Sequence, residues 1–284
     1  MLQKRFFIII FAFDKNCKYR QMRIKILIFT IITFVISLSI HIGTEIYDYY
    51  SPPHEQISHL PNKNYGNDTL HIAFIGDSWA LMHKYHNCII KQYIEKQIHH
   101  PTSIISSGIG GLTSKHIYQQ FFNNSDIKDL LSSGVKYCII SAGINDANMK
   151  MTRAYFKESI NFIIQHLLSN HIHPIIIEIP DYDIEKAYRN LKLHRKIQTR
   201  LSMLITNTSM NCKQEFRDIL NLAIKEHDYD NHATIIRYKE WNNNIEEDLE
   251  NLYQPDGVHL NDKGYKKLDS CIAQHIIEIE KQND

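Results

Sequence analysis

The sequence predicts an α/β protein: a three-layer α/β/α sandwich around a five-stranded parallel sheet, preceded by an N-terminal transmembrane helix. Three observations lead there. From Leu70 onward, short apolar runs alternate with longer segments of helical period, the pattern of buried parallel strands joined by crossover helices. Small clusters of Gly, Ser, Asn and Asp follow the predicted strands, where ligand sites of such sheets lie. The run Ile26 to Thr44 carries no charge.

Taken in order, residues 1–25 hold an apolar patch, Phe6 to Phe13, then the basic group Lys15, Lys18, Arg20, Arg23 and Lys25, a cytoplasmic N-terminus by the positive-inside rule. Residues 26–44 approach the roughly 20 apolar residues that a helix needs to cross the hydrocarbon layer. They read as a single-pass signal anchor with the following domain outside the cytoplasm, periplasmic or extracellular. A cleaved signal peptide is the rival, with Ser37 and Ser39 near a cleavage site, but the run continues through Ile40 and Ile42 and favours an uncleaved anchor. A buried core helix fits less well because the segment is apolar on every face. Met22 is an alternative start.

Residues 45–68 are polar, carry Pro52, Pro53 and Pro61, and read as a linker. The folded domain is expected over 69–284, with strands at Leu70 to Ile75, Ser103 to Ser106, Tyr137 to Ser141, Ile175 to Ile179 and Ala233 to Arg237. One helix is expected from Ser78 to about Gln97 and another over Arg153 to Leu168, whose apolar residues Phe156, Ile160, Ile163, Ile164 and Leu167 share a face. Two more, Ile184 to Ile205 and Cys212 to Glu226, lie between the fourth and fifth strands, and a last one runs from Asp262 to Lys281.

With 284 residues and 43% hydrophobic content the chain can bury one sizeable core. Its 32 basic against 31 acidic residues leave a charge of +1, so no global field draws it to nucleic acid. The five cysteines, Cys17, Cys88, Cys138, Cys212 and Cys271, form no C-x-x-C pair or metal-ligand spacing; Cys138, inside an apolar run, reads as a buried small hydrophobe. Seventeen histidines reflect composition, so a histidine gains meaning only with a partner.

Four motifs supply such partners. Gly76-Asp77-Ser78-Trp79 ends the first strand and opens a helix. A serine hydroxyl needs a neighbouring base and donors aimed at the oxyanion it creates, and a helix N-terminus offers its own N–H. Ser106-Ser107-Gly108-Ile109-Gly110-Gly111 follows the second strand, where glycines let a backbone N–H approach a substrate. Gly143-Ile144-Asn145-Asp146 follows the third and brings a side-chain amide donor. In Asp256-Gly257-Val258-His259 an aspartate three residues before a histidine can hold the imidazole with its other nitrogen toward the serine.

In this order the motifs resemble the SGNH (GDSL-like) hydrolase superfamily, over about Ile72 to Leu268. The resemblance implies a flavodoxin-like sheet, a Ser78, His259 and Asp256 triad, and an oxyanion hole made by the Ser78 N–H, the Gly111 N–H and the Asn145 side chain. Gly111 is matched rather than Gly108 because it precedes Leu112-Thr113-Ser114. Two departures are Trp79, where many members have leucine, and Ser106, where many have asparagine; both bear on substrate size and loop geometry.

Other readings fit less well. G-x-S-x-G is represented only by Gly76-x-Ser78-x-Ala80, Thr113 replaces the last glycine of a dinucleotide fingerprint, and no G-K-S or G-K-T occurs. Asp77 and Asp146 could pass for paired glycosidase acids but are expected to brace their loops. His83 and His86 are expected on a solvated helix face rather than at the pocket mouth, and His171 and His173 at the wrong end of the fourth strand for the site. Glu178, Tyr182, Tyr188 and Arg189 lie toward the substrate end without an expected catalytic part.

The chemistry implied is serine esterase action through an acyl-enzyme, with neither metal nor organic cofactor. The expected substrate is an acylated small molecule or polysaccharide, foremost O-acetyl groups of envelope carbohydrate. Acyl transfer onto a polysaccharide, a lipid esterase and a non-enzymatic binding protein are the alternatives. The segment from Pro180 to Asn231 reads either as a lid that shapes the pocket or as packing against the domain.

Overall fold

The computed structural model describes residues 2–56, 58–61, 68–85, 89–242 and 244–283. His86 and Cys88 lie outside them, as do the side chains before Met22, Cys17 among them. The chain forms two compact units, Met1–Ser51 and Pro52–Asp284.

The first unit is one helix, α1 (Leu2–Tyr50). Its part Met22–Tyr50 is 29 residues long and apolar enough to cross a membrane, and at 1.5 Å per residue it would be about 43 Å long. The helix passes through the basic group and continues beyond Thr44 to Tyr50, with Gly43 inside it. Thr30 and Thr33 return their hydroxyls to the carbonyls of Ile26 and Phe29, at 2.9 and 2.8 Å, so neither seeks solvent.

The second unit is built on β1 (Leu70–Gly76), β2 (Thr102–Gly108), β3 (Tyr137–Ser141), β4 (His173–Ile177) and β5 (Thr234–Ile236). They form one parallel sheet in the order β2-β1-β3-β4-β5. Ile-rich β1, β3 and β4 are buried almost throughout, with Phe74, Ile139, Ile140 and Ile175 in the core. β4 starts at His173 because that residue pairs with Tyr137. Pro174 is tolerated beside its start because β5 pairs only from Ile175 onward.

The helices are α2 (Ser78–His83), α3 (Ile90–Ile98), α4 (Ser114–Asn123), α5 (Ser125–Leu131), α6 (Ile144–Met149), α7 (Arg153–Ser169) and α8 (Ile184–Arg189). They continue as α9 (Leu193–Thr206), α10 (Lys213–Glu226), α11 (Tyr238–Trp241), α12 (Ile245–Asn251) and α13 (Asp262–Asn283). β2 and β3 flank β1 on opposite sides, so right-handed crossovers send α2–α3 and α4–α5 to opposite faces. Accordingly α3 packs with α13, while α7 packs with both α4 and α10. The strand order reverses beside β1, and the loops that meet there carry Ser78, Gly111 and Asn145.

Two expected helices are each divided. The stretch after Ser78 is split into α2 and α3 because His83 turns into the core and Asp269 captures the Ile89 N–H at 3.2 Å. α8 and α9 are separated at Asn190 to Lys192. Residues 52–56 and 58–60 lie within the second unit. Pro53 is buried, the Gln56 N–H donates to the Tyr118 hydroxyl at 2.7 Å, and the Leu60 N–H donates to Asn170 Oδ1 at 2.7 Å.

Candidate active site

β1 delivers the chain to Gly76, where a Cβ would lie 2.3 Å from the Ser141 carbonyl oxygen; only glycine lets β1 run this close to β3. Asp77 then caps α2, accepting from the Trp79 N–H at 2.9 Å and the Ser141 hydroxyl at 2.8 Å. Ser78 becomes the first helical residue, with its own N–H among those a helix cannot satisfy internally.

Opposite it stands the loop after α12. Gly257, at φ +74°, makes the turn, and the Asp256 carboxylate accepts the N–H groups of Val258 and His259 at 2.9 and 3.0 Å through Oδ1. Its Oδ2 lies 2.5 Å from His259 Nδ1, and His259 Nε2 lies 2.9 Å from Ser78 Oγ. Burial alone would raise the Asp256 pKa, but the bonds from the His259 ring and the two N–H groups hold it below the ordinary carboxylate range. The base of the loop is closed by a bridge between Tyr253 and Leu260 and by the Gln254 N–H donating to the His259 carbonyl at 2.7 Å.

The glycine loop passes over the serine. Gly110 would place a Cβ 3.9 Å from Ser78 Cβ, and Gly108 leaves no room for one, with Leu81 N and Asp77 O at 2.3 and 2.5 Å. Gly111 is needed for its backbone instead: φ is +82° and the space around it is open. Asn145, near the start of α6, donates through Nδ2 to the Leu112 carbonyl at 2.9 Å. That bond uses one of the two amide protons and orients the other. Asp146 ties the same loops together, accepting the Ser114 N–H and hydroxyl at 2.9 and 2.5 Å. Burial, partly offset by these hydrogen bonds, pushes both Asp77 and Asp146 up to about 6.

The structure thus brings Ser78, Asp256 and His259 into one hydrogen-bonded chain, and gathers Asn145 and the glycine loop around the same strand ends. Sequence reading missed two supports. Trp79 is fully buried and donates its indole N–H to the Val258 carbonyl at 3.2 Å, so it holds α2 to the histidine loop and lines no substrate surface. His83, expected in solvent, is 1% exposed, between the Ser106 hydroxyl at 2.9 Å and Asp269 at 2.8 Å. A histidine in an apolar-periodic helix with Asp269 186 residues away leaves no local signal.

Glu178 accepts from Arg237 at 3.1 Å and from the Tyr238 N–H at 3.0 Å, and Tyr182 is buried with its hydroxyl on Asn148. Both are structural. Arg189 pairs with Asp183 and Glu185, and Tyr188 lines a cavity. That cavity, about 300 Å³, opens beside Asn145 between α6 and α8–α9 and is mainly apolar, with Met149, Ile184, Ala187 and Leu191 in its wall. His173 bonds Thr234 at 2.8 Å. Among the described residues, potential metal donors converge in threes only at Glu240, Cys271 and His275, with ligand atoms within 4.8 Å of one another. His275 Nε2 and the Glu240 carboxylate there lie 2.6 Å apart.

Residues 74–267 match the sequence profile of the GDSL-like lipase/acylhydrolase family, a range that includes all five predicted site residues. Among solved structures the chain is similar to a lipase/acylhydrolase from Enterococcus faecalis, at 18% identity over 74% of this chain and 96% of that one, with a TM-score of 0.51. It is also similar to an acetyl xylan esterase, at 17% identity over 73% of this chain and 100% of that one, with a TM-score of 0.52. At such identities the likeness is one of fold. No curated protein sequence matches the chain.

Proposed function

The chain belongs to the GDSL-like lipase/acylhydrolase family, and from that premise we propose that it is a serine esterase with Ser78 as nucleophile, His259 as general base and Asp256 as the group that orients the imidazole. The observation that carries this reading is the chain of contacts from Ser78 Oγ to His259 Nε2 and from His259 Nδ1 to Asp256, at 2.9 and 2.5 Å. In the reaction Ser78 Oγ attacks the ester carbonyl carbon while its proton passes to His259 Nε2. Asp256, kept ionised by its three donors, fixes the proton on Nδ1 and stabilises the imidazolium. The new oxyanion takes hydrogen bonds from the Ser78 N–H, the Gly111 N–H and the free proton of the Asn145 amide. Collapse expels the alcohol with the proton from His259. Water, deprotonated by the same nitrogen, then releases the acid from Ser78.

The candidate span and the basic group before it support a single-pass topology with the esterase outside the cytoplasm, where O-acetyl groups of envelope carbohydrate are the foremost substrates. The apolar cavity beside Asn145 favours a second reading, an ester with a longer aliphatic chain. The test is hydrolysis of p-nitrophenyl acetate against longer acyl esters by the full chain and by Ser78→Ala and His259→Ala. Short-chain turnover lost in both variants supports the esterase and the first substrate class. A preference for longer chains moves the substrate to the second, and turnover that survives Ser78→Ala refutes the nucleophile.

A further inference from the structure

α9 is built inside out. A helix on a water-soluble domain turns its apolar stripe inward, yet here the inward face carries Thr199 and Ser202, both buried, with their hydroxyls returned to the carbonyls of Arg195 and Gln198 at 2.9 and 3.0 Å. The outward face carries Leu193, Ile197, Leu201, Leu204 and Ile205, spaced to form one stripe, and Leu193 and Leu204 are 75% and 80% exposed. Nothing among the described residues covers them.

Charge says what could. From Lys186 to Gln214 the chain has no Asp or Glu, while Lys186, Arg189, Lys192, Arg195, Lys196 and Arg200 fall on or just before the helix. Arg189 is paired with Asp183 and Glu185, but Lys192, Arg195, Lys196 and Arg200 have no carboxylate partner among the described residues. Arg200 bonds the Tyr188 hydroxyl and stands over its ring, contacts that bring no negative charge to it. A second copy seated on this face by two-fold symmetry would set these cations against the same cations. An apolar stripe bordered by unpaired Lys and Arg instead suits the boundary between acyl chains and anionic headgroups.

We propose that the outward face of α9 seats on an anionic lipid surface. The same helix supplies Arg195, Thr199 and Ser202 to the cavity beside Asn145, so seating brings the wall of that cavity to headgroup level. What the seated helix serves rests on the esterase reading; the seating itself does not.

The test uses the full chain in nanodiscs whose lipids carry brominated acyl chains, made either of phosphatidylcholine alone or of equal parts phosphatidylcholine and phosphatidylglycerol. The two native tryptophans are buried, so Leu204→Trp reports on α9 and Lys128→Trp on the exposed side of α5. The expected result is fluorescence quenching of Leu204→Trp severalfold greater than that of Lys128→Trp in the anionic discs. That excess is lost in neutral discs and when Lys192→Glu, Lys196→Glu and Arg200→Glu are added. Should charge reversal lower the melting midpoint, high salt replaces it, and the excess must again fall. Equal quenching at both positions, or a blue shift of Leu204→Trp without quenching that grows with copies per disc, overturns the proposal, the latter in favour of self-association. Ser78→Ala leaves the quenching unchanged, so the seating and the esterase reading fail separately.

Discussion

The indole nitrogen of Trp79 reaches the carbonyl of Val258 at 3.2 Å, and through it the helix that begins at Ser78 is fastened to the loop that ends at His259. Trp79→Phe keeps most of the packing against Trp241 and Tyr253 and removes that bond. The expected cost is about 1 kcal/mol of stability, with a several-fold fall in kcat and little change in KM. Thermal melts and ester kinetics check both.

Removing groups that act together costs nearly as much singly as jointly. Ser78→Ala, His259→Ala and the double variant are each expected to lose roughly a thousandfold or more in kcat, without additivity. Asp256→Asn should lose less, because the ring remains in place but loses its ionic partner. Losses that multiply in the double variant would refute concerted action.

Burial pushes Asp77 and Asp146 up to about 6 in the folded protein, against 3.8 for an ordinary exposed carboxylate. For an acid raised by folding, the stabilising difference is present in full below the unfolded value and is lost as pH rises through the folded one. Between pH 4 and about 6 each therefore lowers stability, by about 1–3 kcal/mol. Asp256, depressed, acts in the opposite sense and below that window. Melting midpoints across this range should fall with pH, and Asp77→Asn should flatten the slope.

The glycines after β2 separate packing from backbone conformation. Gly108→Ala forces a Cβ to 2.3 Å from Leu81 N and should prevent stable folding. Gly111→Ala meets open space and should cost about 1 kcal/mol for its positive φ, while kcat falls because its N–H is displaced. Expression, melting and kinetics of the pair decide the assignment.

His83→Ala leaves Asp269 buried without its ring partner and the Ser106 hydroxyl without its own. The expected loss is about 2–4 kcal/mol, with kcat per folded molecule little changed. A large fall in kcat at low temperature, where the variant is folded, would assign His83 a part in catalysis.

The strands were legible because runs such as Ile72 to Ile75 and Ile175 to Ile177 are buried on both faces and bounded by turn-forming residues. The site was legible because its pieces are local: Asp256 and His259 are three residues apart, and Gly76-Asp77-Ser78 is contiguous. Trp79 and His83 were not, because their partners Val258 and Asp269 lie 179 and 186 residues away. α9 shows a different limit. Periodicity reveals that Leu193, Ile197, Leu201 and Leu204 share a stripe, but not whether the stripe faces the core or the solvent. Only the tertiary structure, by spending Thr199 and Ser202 on the inside, decides that.

The acid and base share one short turn, while the nucleophile comes from the far end of the domain sequence. Mild heating or low denaturant should therefore part Ser78 from His259 before it parts His259 from Asp256. Activity should vanish ahead of any change in far-ultraviolet circular dichroism and return at once on cooling, since the acid–base pair needs only to swing back, without refolding.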